Sequence, residues 1–286
     1  MNNYLEVSSL SKSFKDFRLN DVSFTLPKGY IMGLIGPNGA GKTTTIKLIL
    51  NMLKRESGEI KILGLDNIAD EQEAKKNLGV VFDSNYFSDE WKISHVEKSM
   101  SGFYENWDSD KFAKILKSFH ILPSKKVKDL SKGMQMKLML ACAFSYDAKL
   151  LILDEPTSGL DPVSRDELLN TLSEYIEDGE HSVLFSTHIT EDLERISDYI
   201  TYLRNGEVYF SGSKDEFVDM YRIIKGGRNE LTEDLKKKLI GLRSFSTGFE
   251  ALRKTEDIKP FAYLDIEPAA INDIVVFTAK KGEQYE

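Results

Sequence analysis

Gly36-Pro37-Asn38-Gly39-Ala40-Gly41-Lys42-Thr43-Thr44 has the spacing G-x-x-x-x-G-K-T, the pattern of a phosphate-binding loop. Its flanks are those the pattern needs. The apolar run Tyr30-Ile31-Met32-Gly33-Leu34-Ile35 reads as a buried strand. Downstream, Ile46, Ile49, Leu50 and Leu53 recur on one helical face. Glycines let the backbone wrap a polyphosphate, and the N–H groups of loop and helix N-terminus point at the anion. In that setting Gly36, Asn38, Gly39, Gly41 and Thr44 line the cradle. Lys42 supplies a cation to the β- and γ-phosphates, and the Thr43 hydroxyl sits on Mg²⁺. The motif alone says nucleoside triphosphate, not which machine.

Outward from the loop, a second chemical element is Leu150-Leu151-Ile152-Leu153-Asp154-Glu155-Pro156, four apolar residues ending in adjacent carboxylates. Asp154 is placed to reach Mg²⁺, and Glu155 to hold or deprotonate an attacking water. Two carboxylates capping a strand would be the plain reading, but the pair follows a phosphate loop with no other purpose for it. Leu78 to Phe82 reads as another strand ending at Asp83. Ser182 to Thr187 reads as one ending at His188. Polar groups at such strand ends face the ligand in α/β sheets. The alternatives are that Asp83 opens a turn and that His188 is structural. Leu130-Ser131-Lys132-Gly133-Met134 opens a helix. There Ser131 is either a simple cap or, with Gly133, part of a second phosphate contact. Upstream, Phe14 or Phe17 would stack on a base or fill a hairpin core.

Composition narrows the class. The 286 residues are 41% hydrophobic and carry a net charge of −8. Basic clusters are short, such as Lys236-Lys237-Lys238, so a nucleic-acid partner is not expected. Cys142 is the single cysteine and reads as a buried structural thiol, excluding a disulfide framework. No signal-peptide pattern opens the chain, and no apolar run approaches the roughly 20 residues that span a bilayer. The chain by itself reads as cytosolic and soluble.

Residues from about 90 to 145 read as helical, with stripes Val96, Met100, Phe103, Tyr104, Trp107 and Phe112, Ile115, Leu116, Phe119, the second capped by Asp108 or Ser109. The aperiodic aromatic stretch Tyr86 to Trp91 reads as either a partner groove or a buried loop. Asn205-Gly206 marks a hairpin. Ser213 to Glu216 is a capping box opening a helix with Phe217, Met220, Tyr221 and Ile224. Beyond 228 we expect a short helix through Leu231, Leu235 and Leu239, a strand over Phe261 to Ile266 and a helix over Pro268 to Phe277. They form an appendage too small to stand without the main body.

As an ordered set, over about residues 4–224, these segments resemble the ATP-binding subunit of an ABC transporter. Gly36 to Thr44 resembles its Walker A, Leu130 to Met134 its signature loop, and Leu150 to Glu155 its Walker B with catalytic glutamate. Ser158 to Asp161 resembles the D-loop and His188 the switch histidine. The resemblance implies an α/β P-loop fold with a RecA-like core, an N-terminal antiparallel β-subdomain and a helical subdomain inserted at about 84–145. The cassette would span 1–227 and a small α/β appendage 228–286. In this family an aromatic near the start packs on adenine, which favours Phe14. Two positions depart from the usual pattern: Lys132 and Met134 replace Gly and Gln of the signature, and Asp83 stands where the family has Gln. Ser131 and Gly133, the phosphate-facing groups, are kept. The metal set implied is Thr43, Asp83 and Asp154, the catalytic pair Glu155 and His188, and the cofactors ATP and Mg²⁺. The family works as head-to-tail dimers on membrane permease subunits at the cytoplasmic face of the cell membrane. Details of the signature, Asp83 and the tail resemble small bacterial exporter ATPases associated with antibiotic or peptide efflux.

Overall fold

The computed structural model describes residues 2–280; residues 281–286 of the expected appendage lie outside it. The chain opens with an antiparallel hairpin, β1 (Asn3–Ser13) and β2 (Arg18–Pro27). One face buries Leu5, Val7, Leu10, Leu19, Val22 and Leu26; the period of two holds over Leu5–Val7 and Val22–Leu26 and is shifted by irregularities in the pairing near Ser9 and Asp21, both at positive φ. Next, β3 (Ile31–Ile35) is buried at every position and runs into the glycine loop and α1 (Lys42–Ile49). The strands β4 (Ser57–Ile62) and β5 (Leu65–Asp66) return to β1, giving the sheet order β2-β1-β4-β5. This is the expected antiparallel subdomain.

After α2 (Glu71–Lys76), β6 (Leu78–Val81) enters the central sheet. The helical insert follows: α3 (Ile93–Phe103), α4 (Ser109–Ser118) and α5 (Lys132–Ser145). The Asp108 carboxylate caps α4, accepting from Lys111 N–H at 2.8 Å. These helices enclose Val96, Phe112, Leu116, Val127, Leu138 and Cys142. Phe103, expected on the inner stripe, is 81% exposed at the end of α3, while Tyr104 leaves the helix and stacks on Tyr146 with ring centroids 3.7 Å apart.

The chain then alternates β7 (Leu150–Asp154), α6 (Pro162–Tyr175), β8 (Ser182–Thr187), α7 (Thr190–Ile196) and β9 (Tyr199–Arg204) before β10 (Glu207–Ser213). The second sheet has the order β10-β9-β3-β8-β7-β6 and is parallel from β9 to β6. Covered on both faces, β7 and β8 are buried along their whole length, the habit of parallel strands. The β9–β10 turn has Asn205 and Gly206 both at positive φ, as a two-residue hairpin of this type demands. A Cβ at 206 would lie 1.9 Å from the Arg18 carbonyl oxygen, so glycine here also lets the hairpin press on β2.

Beyond this point the fold departs from expectation. The Ser213–Glu216 capping box forms, but α8 (Lys214–Asp219) stops before Tyr221. Phe217, Tyr221 and Ile224 fit a helical stripe by spacing, yet Tyr221–Gly227 is strand β11. Ile223 and Ile224 pair there with Leu252 and Ala251 of β13 (Gly248–Lys254), a long-range contact that overrides local periodicity. Between them lie α9 (Glu233–Lys236), much shorter than the leucine spacing suggests, and β12 (Ile240–Ser244). The strand expected over 261–266 is displaced. Pro260 sits in a 3₁₀ turn, and β14 (Asp265–Pro268) pairs with β11 instead. The third sheet runs β12-β13-β11-β14, so it begins at Tyr221, ahead of the expected boundary at 228. The final helix α10 (Ile271–Lys280) buries Ile271, Ile274 and Phe277 in the same cluster as Tyr202, Phe217, Tyr221 and Leu252. Among the described residues no helix is long and apolar enough to cross a membrane.

Two outcomes follow from this packing. Phe277→Ala removes a fully buried ring that joins α10 to the cassette, at a cost of about 3–5 kcal/mol. Calorimetry should then show the thermal midpoint falling by roughly 10 °C. A fall of a degree or two would mean that α10 melts independently. Cys142 is 1% exposed, and burial pushes its thiol well above the usual range. Iodoacetamide should therefore label it only on unfolding, with labelling and unfolding rates converging in denaturant.

Candidate nucleotide site

Three parallel strands, β3, β7 and β8, end side by side, and each carries a candidate group past its C-terminal end, where α/β sheets hold ligands. After β3 the loop turns through positive φ at Gly36, Gly39 and Gly41. Gly41 precedes α1 with no side-chain cap, so the first N–H groups of that helix stay open to an anion. A Cβ at Gly36 would stand 2.3 Å from the Leu203 carbonyl oxygen, which leaves room only for glycine.

Lys42 is 6% exposed and folds back into its own loop. Its Nζ donates to the Gly36 carbonyl at 2.8 Å and lies 3.6 Å from Glu155 Oε1. The other Glu155 oxygen lies 2.7 Å from His188 Nδ1. Glu155 therefore holds two cation-capable groups, one from the end of β8 and one from α1. It does so from a left-handed backbone conformation, φ +52°, unusual for a residue with a side chain. Next to it, Asp154 Oδ1 accepts from Thr43 Oγ1 at 3.2 Å and from Ser186 Oγ at 2.6 Å. Thr43 and Asp154 thus meet as oxygen donors, the ligand type that a hard cation such as Mg²⁺ takes. Among the described residues no cluster of three or more His, Cys, Asp or Glu forms a cage for a metal. Mg²⁺ is ordinarily held by one or two carboxylates together with substrate phosphates, so the donor set fits.

Lys42, Thr43, Glu155 and His188 line a cleft of about 600 Å³, together with Asn38, Thr44 and Asp83, and the buried Asp154 reaches it through Thr43. Two residues not singled out as ligands also line it, Asp16 and Ser158. Of the two candidate aromatics, Phe17 lines the cleft. Phe14, 44% exposed, lies behind it with ring centroids 6.2 Å apart. The order of the two rings depends on how the β1–β2 turn folds, which spacing alone does not encode.

Ser131 and Gly133 do not join this cleft. Ser131 caps α5, accepting from Met134 N–H at 3.3 Å. Gly133 is buried against α6, where a Cβ would meet Ser164 at 3.0 Å. The turn after Glu155 links the two regions. Thr157 donates to the fully buried Asp192 at 2.7 Å, and Asp192 also accepts from Arg165 at 2.5 Å. Sequence reasoning missed this pin because Thr157, Arg165 and Asp192 share no local pattern. A second hollow of about 740 Å³ opens between α2, β6 and the helical insert. It is lined by Lys75, Val80, Tyr86, Phe103 and Tyr104 among others. Tyr86 is thus at a groove, whereas Trp91, 38% exposed, lies outside it.

The family model described as ABC transporter matches residues 19–158. The ABC transporter ATP-binding protein YtrB of Bacillus subtilis is 31% identical over 218 residues, covering 76% of this chain and 74% of that protein. The Nod factor export ATP-binding protein I of Rhizobium sp. (strain N33) is 33% identical over 222 residues, covering 75% and 72%. A solved ATP-binding subunit of an ABC transporter superposes with a TM-score of 0.68 at 30% identity, over 74% of this chain and 91% of that one. A post-hydrolysis dimer of an ATP-binding cassette with ADP and Pi superposes with a TM-score of 0.64; at 23% identity over 73% and 98% it speaks for the fold. With the phosphate loop, the paired carboxylates and the histidine at one sheet edge, these likenesses make the chain a member of the ABC transporter family, a nucleotide-binding subunit that hydrolyses ATP.

Proposed function

We propose that this chain powers an ABC exporter by closing on ATP with a second cassette, head to tail, and that it sits at the cytoplasmic face of the membrane through permease subunits. The observation that carries the reading is the split of the phosphate-binding features. The cleft holds Lys42, Thr43, Glu155 and His188, with Asp154 bonded to Thr43, while Ser131 and Gly133 lie outside it on the face of α5 and α6. A nucleotide in this cleft lacks those two contacts until another copy supplies them. ATP then acts as the differential ligand that favours the closed dimer.

In this reading the triphosphate takes over Lys42 and His188, which lean on Glu155 in its absence. Glu155, so released, orients a water and accepts its proton as the water attacks the γ-phosphorus and the bond to the β-phosphate oxygen breaks. Lys42 and the loop N–H groups hold the growing negative charge on the leaving side. Thr43 and Asp154, with Asp83 nearby, would hold Mg²⁺, which neutralises phosphate charge. Phe14 and Phe17 offer faces for the adenine. The exporter assignment is supported by relatives named for Nod factor export and, in Escherichia coli, as a probable multidrug ABC transporter; an antibiotic or peptide cargo is part of the proposal. The groove beside Tyr86 and Phe103 is where a permease segment would dock, since exposed aromatics rimmed by charge mark such surfaces.

Glu155→Gln should lower ATP turnover about 10²–10⁴-fold while leaving ATP binding intact. In sedimentation velocity that variant should become dimeric on adding ATP and return to monomer on its removal. Monomers at saturating ATP would overturn the split-site reading. Mixing an inactive Lys42→Ala chain with an inactive Ser131→Arg chain should restore part of the turnover, through composite sites that keep one intact half from each; none restored would argue against sites shared between copies of this chain. Asp192→Ala strips the buried partner from Thr157 and Arg165. Arg165 is partly exposed, so the cost should fall near about 3 kcal/mol, at the low end for broken buried pairs, read from urea unfolding.

A further inference from the structure

Ser186 has no part in the phosphate loop or in the histidine switch, yet it touches both carboxylate-bearing residues. It lies on β8 directly opposite Asp154 on β7, the last rung of that parallel pairing. It is fully buried. Its Oγ donates to Asp154 Oδ1 at 2.6 Å. The same Oγ accepts from the Glu155 backbone N–H at 3.0 Å, and the Ser186 carbonyl accepts that N–H at 3.1 Å.

A hydroxyl has one proton and two lone pairs. Here the proton goes to Asp154, because the Glu155 N–H can only donate and so needs a lone pair of the hydroxyl. A lone pair is then left for the N–H of Glu155. That N–H makes the ladder bond to the Ser186 carbonyl, and immediately after it Glu155 leaves the strand in a left-handed conformation at φ +52°. Such a conformation costs on the order of 1–3 kcal/mol and persists only when its surroundings hold it. The two Ser186 oxygens are what receive its N–H. Thr43 also donates to Oδ1, so two hydroxyls converge on one oxygen of Asp154. Among the described residues no protein donor reaches Oδ2.

We propose that Ser186 is a positioning residue for ATP hydrolysis, one hydroxyl that fixes the carboxylate of Asp154 and the backbone of Glu155 relative to each other. The inference rests on the roles given above to Asp154 and Glu155. A buried serine that merely satisfied polar neighbours would matter for stability alone. A positioning serine matters for turnover once nucleotide is bound, since displacing a reacting group by about 1 Å can cost on the order of 100-fold.

The test is a kinetic series on the full chain. Ser186→Ala should lower kcat about 10- to 100-fold, with the KM for ATP within about threefold of the parent, the sign of an interaction lost after binding. Ser186→Thr, which keeps the hydroxyl, should recover most of kcat; Ser186→Cys, close in size but a weak donor, should behave like alanine. A second readout does not depend on turnover. In the Glu155→Gln background, titration calorimetry of ATP at graded Mg²⁺ should show Ser186→Ala needing about threefold more Mg²⁺ for half-maximal binding, an effect of less than 1.4 kcal/mol. Parent-like kcat and parent-like Mg²⁺ dependence in Ser186→Ala would overturn the proposal. So would equal losses in the alanine and threonine variants, which would mark a packing role. If Glu155→Gln itself turns over at the parent rate, the roles assigned to the carboxylates fail first; if it is slow and Ser186→Ala is normal, only the role of Ser186 fails.

Discussion

Register between β7 and β8 is the constraint on which the site depends. The strands pair from Leu150 with Ser182 through Asp154 with Ser186. Shifting one by a single residue would turn every side chain to the other face. Asp154 would then lose Ser186 and Thr43, and His188 would no longer meet Glu155. The register is specified by apolar side chains on both faces, with Leu151, Leu153, Val183 and Phe185 in one cluster and Leu150, Ile152 and Leu184 in the other. Two hydrophobic layers thus set the position of two carboxylates, although none of those residues lines the cleft.

The same economy explains what was legible beforehand. The phosphate loop is a local device: its glycines, lysine and threonine lie within nine consecutive residues, and the flanking strand and helix carry their own periodicity. Asp154-Glu155 and His188 were legible because strand ends in a parallel sheet share an edge. Ser186 was not, because its role comes from the residue across the ladder, and a serine inside Ser182–Thr187 looks like any other strand residue. Tyr221 and Ile224 misled for a related reason. Their spacing suits a helix as well as a strand, and what decides is β13, which arrives only later in the chain. Phe14 and Phe17 divide differently. Either was legible as a ring that could stack on a base, and the resemblance favoured Phe14, but it is Phe17 that lines the cleft, an ordering set by a turn.

Lys42 and His188 both lie against Glu155, one on each carboxylate oxygen, so that the carboxylate is the centre of the cluster. In the proposed mechanism a triphosphate, carrying more negative charge than a carboxylate, competes for Lys42 and His188, so binding and release of the general base would be a single exchange of partners. The departures of the signature loop fit the same accounting of contacts. Lys132 does not replace Ser131 or Gly133; its ammonium reaches over Gly159 in the turn after Glu155, near where a Cβ there would lie, at 3.2 Å.

The placement of α10 bears on how the protein is made. Its Ile271, Ile274 and Phe277 complete a cluster begun by Tyr202 and Phe217, and the Ile271 N–H donates to Glu194 on α7 at 3.1 Å. Everything needed to hold a nucleotide leaves the ribosome well before this helix does. During synthesis, then, the cassette passes through an interval in which its phosphate loop can form while an apolar face beside β9 and α8 stays uncovered. Exposed faces of that kind are the ones chaperones and aggregation compete for. Until α10 docks, that cluster lacks Ile271, Ile274 and Phe277, so a small unit far from the chemistry bears on how long the nascent chain is at risk.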